Sequence, residues 1–488
     1  MNFQTPDWVK HAVFYQIFPD RFAKSQTSQP RLWQSSNLQS WEAKPTYTGY
    51  KGGDLWGVID QLDYLQDLGI NAIYFTPIFQ SASNHRYHTH DYYQVDPMLG
   101  GNVAFDALIK AAHHKNIKIV LDGVFNHASR GFFFFNDILE NGADSPWLDW
   151  FKVAKWPLSA YDGSKDANYI SWVGNRALPQ FNHDNPQVKE YIMQIGEYWL
   201  KKGIDGWRLD VPNEVTIPGF WQEFRDRVKA INPEAYIVGE IWSDASEWLD
   251  GTQFDGVMNY RFAEPTIAFT AGDRFIPEYI QPHYTPYPAL NASDYALKIQ
   301  SLLDLYPWEI QLTQLNLLNS HDTSRVITAV GEDKASVHLA TLLLLTFPGA
   351  PCIYYGDEVG LPGGKDPDCR RGFPSESDWD QETFNHYQQL IALRHKYPAL
   401  RTGKYQVLYA QDQIYIFSRI LDSEKLIIAV NTDINSVSVE IPVTHSDNKY
   451  HLVYGAAEFF SNQTTQAKQL KLKLPARNAA IIASQLDD

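Results

Sequence analysis

Short apolar segments alternate with amphipathic stretches along most of the 488-residue chain, and this alternation constrains the fold more than any other feature. Eight largely apolar segments have the length that is typical of buried strands, and the one at 206–211 also starts with Gly and is followed by Pro. They cover residues 12–19, 71–78, 117–125, 206–211, 236–242, 254–260, 315–321 and 351–355. Segments with helical spacing separate them. This order predicts βα units on a parallel sheet, and eight such units fit a closed (β/α)8 TIM barrel of the α/β class.

Two regions depart from this alternation. Residues 128–186, after the third predicted strand, include four consecutive phenylalanines and several tryptophans, and they predict a short inserted domain, domain B. Its aromatic rings either stack on a ligand or form the core of the insertion, and core is the preferred interpretation for most of them. From about residue 405, apolar and polar residues alternate with period two, which predicts a C-terminal antiparallel β-sandwich at 401–488. The barrel then comprises residues 1–127 and 187–400.

Composition excludes several classes of partner. The net charge of −16 disfavours binding to a nucleic-acid backbone or to an anionic membrane. The most apolar stretch, residues 338–355, is interrupted by His, Pro and Gly, so no membrane-spanning segment is expected. With only Cys352 and Cys369, a disulfide framework is excluded, and the N-terminal residues lack the apolar region of a secretory signal. A reducing, cytoplasmic location is therefore expected.

The segment 203–214, GIDGWRLDVPNE, places charges inside a predicted buried strand. Arg208 and Asp210 are two residues apart, so their side chains point to the same face of that strand. Burying such a pair costs free energy unless the charges are paired or used. The cation keeps the carboxylate ionised, and an ionised carboxylate in a cleft is what a carboxylate nucleophile requires. The alternative is a structural ion pair that closes the end of the strand.

Other ionisable residues also follow predicted strands. His127 lies just after the third strand, Glu240 near the end of the fifth, and His321 and Asp322 at the end of the seventh. In a (β/α)8 barrel, catalytic groups lie at the carboxyl ends of the strands. Together with Asp210, these carboxylates are therefore predicted to converge on one rim of the barrel.

Several of these segments carry a family resemblance. DGVFNH, GWRLDVPNE, VGEIW and NLLNSHD, in this order along the chain, resemble the four signature regions of the α-amylase family, glycoside hydrolase family 13. ALPQFN at residues 177–182 is similar to an additional motif of the cyclomaltodextrinase, maltogenic amylase and neopullulanase group. SNHRYHTHDY at 83–92 and GGDLWGVIDQLDYL at 52–65 resemble the same group. The resemblance spans most of the chain and implies a (β/α)8 barrel with glycosidase activity.

The resemblance implies a role for each carboxylate. Asp210 is the expected nucleophile, Glu240 the general acid/base, and Asp322 the stabiliser of the transition state. A retaining glycosidase needs an ionised carboxylate and a protonated carboxyl group about 5 Å apart. In the sequence, Glu240 lies between the apolar residues Val238 and Ile241, a setting able to raise its pKa.

The resemblance also implies which residues surround the substrate. Tyr87 is expected to stack under the sugar ring that is cleaved, and His127 and His321 to bind its hydroxyl groups. Arg208 is expected to keep the nucleophile ionised, and Trp242 to lie on the leaving-group side. The carboxylate of Asp322 is expected to favour the positive charge of an oxocarbenium-like transition state.

Among the differences between this chain and the group, two bear on the oligomer and on a metal site. The first predicted strand starts near residue 12, so the group's N-terminal β domain is not expected, and any homo-oligomer is expected to form without it. A more open site follows from this, which favours branched substrates. The loop AKSQTSQP at 23–30 stands where the group often carries Asn and Asp ligands for calcium. Few hard ligands remain besides Asp54, so no cofactor is expected, and calcium stays as the alternative.

The sequence therefore predicts a retaining glycoside hydrolase whose partner is an oligosaccharide. Its expected targets are α-1,4 or α-1,6 bonds in malto-oligosaccharides, cyclodextrins and branched α-glucans, with a preference for neopullulanase or debranching action. Two alternatives stay open. His85, His88 and His90 form an H-x-x-H-x-H pattern, which suggests a metal-dependent barrel hydrolase. The other alternative is a catalytically inactive homologue that binds sugar, although such a protein typically lacks one of the carboxylates.

Overall fold

The computed structural model describes residues 4–25, 37–279, 289–443, 447–463 and 468–486. Ahead of the C-terminal domain, most strands coincide with the predicted apolar segments. In chain order the strands are β1 (Phe14–Ile17), β2 (Ala72–Phe75), β3 (Phe79–Ser81), β4 (Thr89–Val95), β5 (Lys118–Gly123), β6 (Gly206–Leu209), β7 (Tyr236–Gly239), β8 (Gly256–Asn259), β9 (Leu315–Asn316) and β10 (Ala350–Tyr354).

Eight of these strands close into a parallel barrel in the order β1-β10-β9-β8-β7-β6-β5-β2. This confirms the predicted (β/α)8 barrel. The register of β5 against β6 sets Asp122 beside Arg208, and the register of β6 against β7 sets Arg208 beside Val238. Side chains on neighbouring barrel strands lie close together at such paired positions. The register therefore brings a carboxylate and a cation together from segments far apart in the sequence.

Helices separate the barrel strands, and several of them bury one apolar side. Their bounds are Asp7–Lys10, Pro19–Phe22, Leu55–Asp60, Leu62–Leu68, Gly101–His114, Phe133–Asn141, Pro186–Lys201, Phe220–Ile231, Tyr260–Ala271, Ala292–Leu303, Trp308–Gln311, Val326–Ala329, Lys334–Thr346, Gln381–Lys396 and Pro398–Thr402. The helix before β6 illustrates the cause. Asn185 caps it by accepting a backbone hydrogen bond in the first turn, and Val188, Ile192 and Trp199 are buried. Their spacing places them on one face of the helix.

Two details differ from the prediction. The segment 54–68 has apolar side chains near helical spacing, which predicts one helix, but the helix is broken at Gln61, where φ is −100° and ψ is 3°. Its apolar residues recur mostly every third position, which drifts by about 60° per step around an α-helix. A break keeps both halves facing the core. The sequence also does not predict the antiparallel hairpin of β3 and β4, because β3 has only three residues and both strands include several polar ones.

The inserted segment consists of the helix Phe133–Asn141 followed by isolated antiparallel bridges. Phe132, Phe135 and Phe151 are buried, and their rings are in contact. Tyr161, in contrast, is 71% exposed. The buried rings form a small apolar core for the insertion, which agrees with the preferred interpretation of its aromatic residues.

The C-terminal domain is built from antiparallel strands. They are β11 (Lys404–Gln411), β12 (Ile414–Leu421), β13 (Glu424–Asn431), β14 (Val437–Val443), β15 (Asp447–Gly455), β16 (Glu458–Gln463), β17 (Lys468–Leu474) and β18 (Asn478–Leu486). One sheet has the order β11-β12-β13-β18-β15 and the other the order β14-β17-β16. Ile427 and Ile482 of the first sheet share one buried cluster with Ile441 and Leu472 of the second. Two sheets around one apolar core form a β-sandwich, which confirms the prediction.

The described residues pack as two compact units. The first contains Phe14–Met258, the residues up to Pro6 and the segment Arg370–Phe373, and the second contains the rest of the described chain. In neither unit does the described part include a helix with the length and apolar character needed to cross a bilayer. Cys352 and Cys369 are both buried and are not joined in a disulfide.

The second unit contains two stacked imidazole rings. The ring centroids of His338 and His386 are 4.3 Å apart. The Nε2 atom of His386 lies 2.9 Å from the His338 carbonyl oxygen, and its Nδ1 atom lies 2.5 Å from the Tyr454 hydroxyl oxygen. A neutral imidazole satisfies both contacts by donating at Nε2 and accepting at Nδ1. Burial, together with the neighbouring His338, lowers the pKa of His386 to about 3.

We expect this imidazole to make the fold sensitive to acid. The ordinary pKa of His is 6.5, so the stability contributed by neutral His386 is fully present above pH 6.5 and is lost as the pH falls towards about 3. At about pH 4.5 the loss is about 3 kcal/mol, since each pKa unit corresponds to about 1.4 kcal/mol. His386→Gln should therefore lose less unfolding free energy than the wild type between about pH 7.5 and pH 4.5. Urea unfolding at both pH values measures this. His114→Gln, at an exposed position, is the matched control, and equal acid sensitivity of the two variants would contradict the prediction.

Candidate active site

Arg208, on β6, is the centre of a cluster of carboxylates in the first unit. Its Nη1 atom is 2.9 Å from Asp122 Oδ2 and 3.0 Å from Asp210 Oδ1, and its Nη2 atom is 3.0 Å from Glu240 Oε2. Nη1 donates hydrogen bonds to both aspartates, whereas the Nη2 contact lacks the alignment of a hydrogen bond. Arg208 is fully buried, and the side chains of Asp210 and Glu240 are 9% and 6% exposed. The predicted Arg208–Asp210 pair is present, and Glu240 joins it.

Asp122 is a further carboxylate of this cluster, and no role follows for it from the sequence beyond its place in DGVFNH. It accepts hydrogen bonds from the hydroxyl groups of Tyr74 at 3.1 Å and Tyr87 at 2.9 Å. Burial raises the pKa of Asp122 to about 6, although Arg208 lowers it. Three carboxyl groups around one guanidinium group leave an excess of negative charge, which favours retention of a proton.

The backbone next to Asp210 is strained. Val211 has φ 37° and ψ 51°, a left-handed conformation that a β-branched residue rarely adopts. Its amide donates to Glu240 Oε2 at 3.3 Å. Strain of this kind costs on the order of 1–3 kcal/mol and persists where the surrounding structure enforces it. The turn at Val211 therefore links the backbone beside one catalytic candidate to the side chain of the other.

Glu240 follows β7 and contacts polar as well as apolar groups. Trp242 Nε1 donates to Glu240 Oε1 at 3.3 Å, and Arg208 lies against the other carboxylate oxygen. The neighbours in sequence, Val238 and Ile241, are buried as expected. The apolar setting inferred from the sequence is nevertheless incomplete, because a cation from another strand stabilises the ionised carboxylate. Trp242 lies against the acid/base candidate itself.

Tyr87 reaches the cluster from the loop between β3 and β4. The preceding residue, Arg86, has φ 63°. Its side chain pairs with Asp96 at 3.1 Å and donates to the carbonyl oxygen of Asn84 at 2.7 Å. These contacts hold the turn that directs the Tyr87 hydroxyl group to Asp122. The expected sugar platform is therefore tied to the carboxylate cluster.

His127 follows β5 and is buried. Its ring stacks on that of Trp172 from the inserted segment, with centroids 5.4 Å apart and an angle of 25° between the planes. Gln180, from the ALPQFN motif, forms a backbone bridge with His127 and donates to Asn126 at 2.8 Å. Burial lowers the pKa of His127 to about 3, so the imidazole is neutral. The sequence places Trp172 only among the aromatic residues of the insertion, because a contact over this separation leaves no local pattern.

His321 and Asp322 follow β9 in the second unit. His321 is fully buried, and its Nε2 atom lies 3.2 Å from Asp322 Oδ2. The Asp322 amide donates to the Ser320 hydroxyl group at 3.2 Å, and the Cys369 thiol donates to the His321 carbonyl oxygen at 3.3 Å. The Asp322 side chain is 32% exposed. This local structure fixes the His–Asp pair and leaves the carboxylate accessible.

The H-x-x-H-x-H residues do not form a metal site. Among the residues that the structure describes, no group of three or more His, Cys, Asp or Glu side chains could hold a metal ion. His85 accepts a hydrogen bond from the Tyr87 amide at 3.2 Å, and its ring packs edge-on against His88. Burial lowers the pKa of His88 to about 4 and also lowers that of His90. Part of the loop discussed for calcium, residues 26–30, lies outside the described residues.

Two family profiles match the chain, the α-amylase catalytic domain at residues 16–374 and the α-amylase C-terminal domain at residues 403–482. A cyclomaltodextrinase from Geobacillus thermopakistaniensis is 41% identical over 90% of this chain and 72% of its own length. Neopullulanase 2 from Thermoactinomyces vulgaris is 40% identical over 97% of this chain and 77% of its own length. The crystal structure of a debranching enzyme from Nostoc punctiforme is 67% identical and has a TM-score of 0.93, covering 99% of this chain and 100% of that one.

These similarities extend over the parts of the chain that carry the cluster. The catalytic-domain profile includes the segments of Asp122, Arg208, Asp210 and Glu240 as well as that of Asp322, and the second profile coincides with the β-sandwich. The chain therefore belongs to the α-amylase family, glycoside hydrolase family 13, and is a glycosidase.

Proposed function

We propose that the enzyme hydrolyses α-glucosidic bonds by double displacement with retention of configuration. The observation that supports this most directly is the fully buried guanidinium group of Arg208, which contacts both Asp210 and Glu240. A retaining glycosidase needs two carboxyl groups that act on one anomeric carbon from about 5 Å apart. Two carboxyl groups that share one guanidinium group are close enough in space to meet this need.

Each step uses the cluster differently. In the first step, Asp210 attacks the anomeric carbon while Glu240 protonates the departing glycosidic oxygen. In the glycosyl-enzyme that results, Asp210 is esterified and carries no charge. Arg208 then stabilises the ionised Glu240, which it contacts at 3.0 Å. In the second step, Glu240 takes a proton from the water molecule that displaces Asp210.

The remaining roles follow from the family motifs. We assign Asp322 to stabilisation of the oxocarbenium-like transition state, and His127 and His321 to the hydroxyl groups of the cleaved sugar. A neutral imidazole, such as that of His127, both donates and accepts hydrogen bonds, which suits a hydroxyl group. Tyr87 is the platform under this sugar. Trp242, which contacts Glu240, lies towards the leaving group.

The names of the relatives support α-glucans as the substrate class. They include a cyclomaltodextrinase, a neopullulanase and a debranching enzyme. Because the debranching enzyme is 67% identical to this chain, we propose branched α-glucans as substrates, with α-1,6 bonds among those cleaved. Cys352 and Cys369 are buried and are not joined in a disulfide, which suits the reducing cytoplasm that we propose as the location.

Product analysis tests this proposal. We expect release of linear malto-oligosaccharides from pullulan and from a cyclodextrin that carries a maltosyl branch, with the α-anomer formed first in an NMR time course. Formation of the β-anomer first would contradict double displacement. Cleavage of linear maltohexaose without any attack on pullulan or short branched dextrins would show that the preference for branched substrates is wrong.

A further inference from the structure

Lys51 is completely buried, which is uncommon for a lysine side chain. Its Nζ atom lies 2.7 Å from the carbonyl oxygen of Ser40, 2.9 Å from that of Trp41 and 2.6 Å from that of Ala43. An ammonium group has three protons, and each can be donated to one of these oxygens. Several carbonyl oxygens that converge from one loop are also what a hard metal ion binds.

The family resemblance suggests calcium near the loop at residues 23–30. The described carboxylates next to this loop, Asp20 and Asp54, do not fit a metal ion. Asp20 accepts a hydrogen bond from the Lys51 amide at 2.8 Å and pairs with Arg21 at 2.7 Å. Asp54 caps the helix Leu55–Asp60 by accepting from the Gly57 amide at 2.7 Å. Calcium takes about six to eight oxygen ligands, including carboxylates. Here both carboxylates bind protein groups, and the carbonyl oxygens point at an ammonium group.

We propose that Lys51 is a tethered cation, which organises the loop 37–53 in place of a bound metal ion and thereby positions Tyr87. A covalently attached cation cannot dissociate. The order of this loop is therefore independent of the concentration of free calcium. The role of Tyr87 in this statement rests on the proposed function, whereas the role of Lys51 in the loop does not.

Gly49 and Tyr50, which immediately precede Lys51 in the loop, contact the segment that carries Tyr87. Asn84 donates to the carbonyl oxygen of Gly49 at 2.8 Å, and the Tyr50 hydroxyl group donates to the carbonyl oxygen of Ala82 at 3.1 Å. Both contacts support the start of the turn that ends in Tyr87. A shift of the loop that follows loss of the ammonium group is therefore passed on to the sugar platform.

The amine carries its proton at neutral pH. Burial lowers the pKa of Lys51 to about 8, and Arg21 and Lys24 also lower it, whereas Asp20 and Glu42 raise it. At neutral pH most molecules therefore hold the ammonium form. The three carbonyl contacts favour this form further, because a neutral amine has fewer protons to donate.

Chemical rescue of Lys51→Ala in the full-length chain tests the proposal. n-Propylammonium matches the deleted atoms in length and charge, whereas n-propanol matches them in length alone. We expect the melting temperature of Lys51→Ala to fall by about 4 °C or more, and the KM for malto-oligosaccharides to rise several-fold with little change in kcat. n-Propylammonium should restore both quantities and n-propanol should not. Lys44→Ala, an exposed lysine of the same loop, should change neither.

Further variants keep the test decisive. If Lys51→Ala does not fold, Lys51→Arg should melt well above Lys51→Met, since only the former keeps the charge. Calcium added to the wild type after EDTA treatment should leave its melting temperature unchanged, and an increase would overturn the proposal. Equal rescue by n-propanol, rescue by neither compound, or a Lys51→Met variant as stable as the wild type would also overturn it. The melting temperatures test the role of Lys51 in the loop even if no glucan is cleaved. Failure of this proposal can therefore be distinguished from failure of the proposed function.

Discussion

Asp210→Asn is expected to abolish nearly all turnover, with kcat lower by a factor of roughly 10,000 or more, because an amide oxygen cannot form the glycosyl-enzyme. The fold should persist, since Asn has the same shape and its oxygen can still accept the hydrogen bond from Arg208 at Oδ1. Glu240→Gln should lower kcat on glucans by roughly 100- to 10,000-fold, because no proton reaches the departing oxygen. Steady-state hydrolysis of pullulan and maltohexaose, with melting temperatures of the same samples, measures these losses.

An activated substrate separates the two roles. Fluoride departs from α-maltosyl fluoride without protonation, so Glu240→Gln should still release fluoride in a first turnover, whereas Asp210→Asn should not. Asp322→Asn should be slow on both kinds of substrate, because the role that we propose for Asp322 is to stabilise the charge of the transition state. Glu234→Gln, at an exposed position ahead of β7, is the matched control and should retain activity. Near-normal hydrolysis of pullulan by Glu240→Gln would refute the acid/base assignment.

The barrel strands were predictable because each leaves a local signal. β6 shows it: four buried residues lie between the glycine turn and the following proline. The charges of Arg208 and Asp210 stand out against this background, since a buried charge without a partner or a use costs free energy. Local pattern and this cost together point to the end of β6 as part of the site.

The contacts within the cluster were not predictable, because they depend on register between segments far apart in the chain. Asp122 and Arg208 are 86 residues apart and meet through the pairing of β5 with β6. The setting of Glu240 has the same cause: its neighbours in sequence are apolar, but its neighbour in space is Arg208. Lys51 is a related case, since a buried lysine in a polar loop has the same sequence signature as a solvated one.

Arg208→Met is expected to reduce stability and activity together, for two different reasons. The substitution leaves three acidic side chains, Asp122, Asp210 and Glu240, buried without their cation. Removal of one partner from a buried ion pair costs about 3–5 kcal/mol, so the free energy of unfolding should fall by about this amount at neutral pH. The deficit should shrink as the pH falls, because protonation of the carboxylates removes the unpaired charge. We expect kcat to fall by roughly 1,000-fold or more, since Asp210 is neither aligned nor kept ionised.

A second substitution separates the electrostatic cost from the catalytic one. In Arg208→Met with Asp122→Asn, one buried charge is gone, so about 1–2 kcal/mol of stability should return in a double-mutant cycle measured by urea unfolding. The kcat should stay low, because Asp210 still lacks its partner. Arg225→Met breaks another buried ion pair in the same unit, Arg225–Asp255 at 2.8 Å, although Asp255 keeps Lys229 at 2.9 Å, and it should lower stability while kcat stays near the wild-type value. If Arg225→Met lost as much activity as Arg208→Met, the activity loss would stem from general destabilisation, and Arg208 would have no specific part in catalysis.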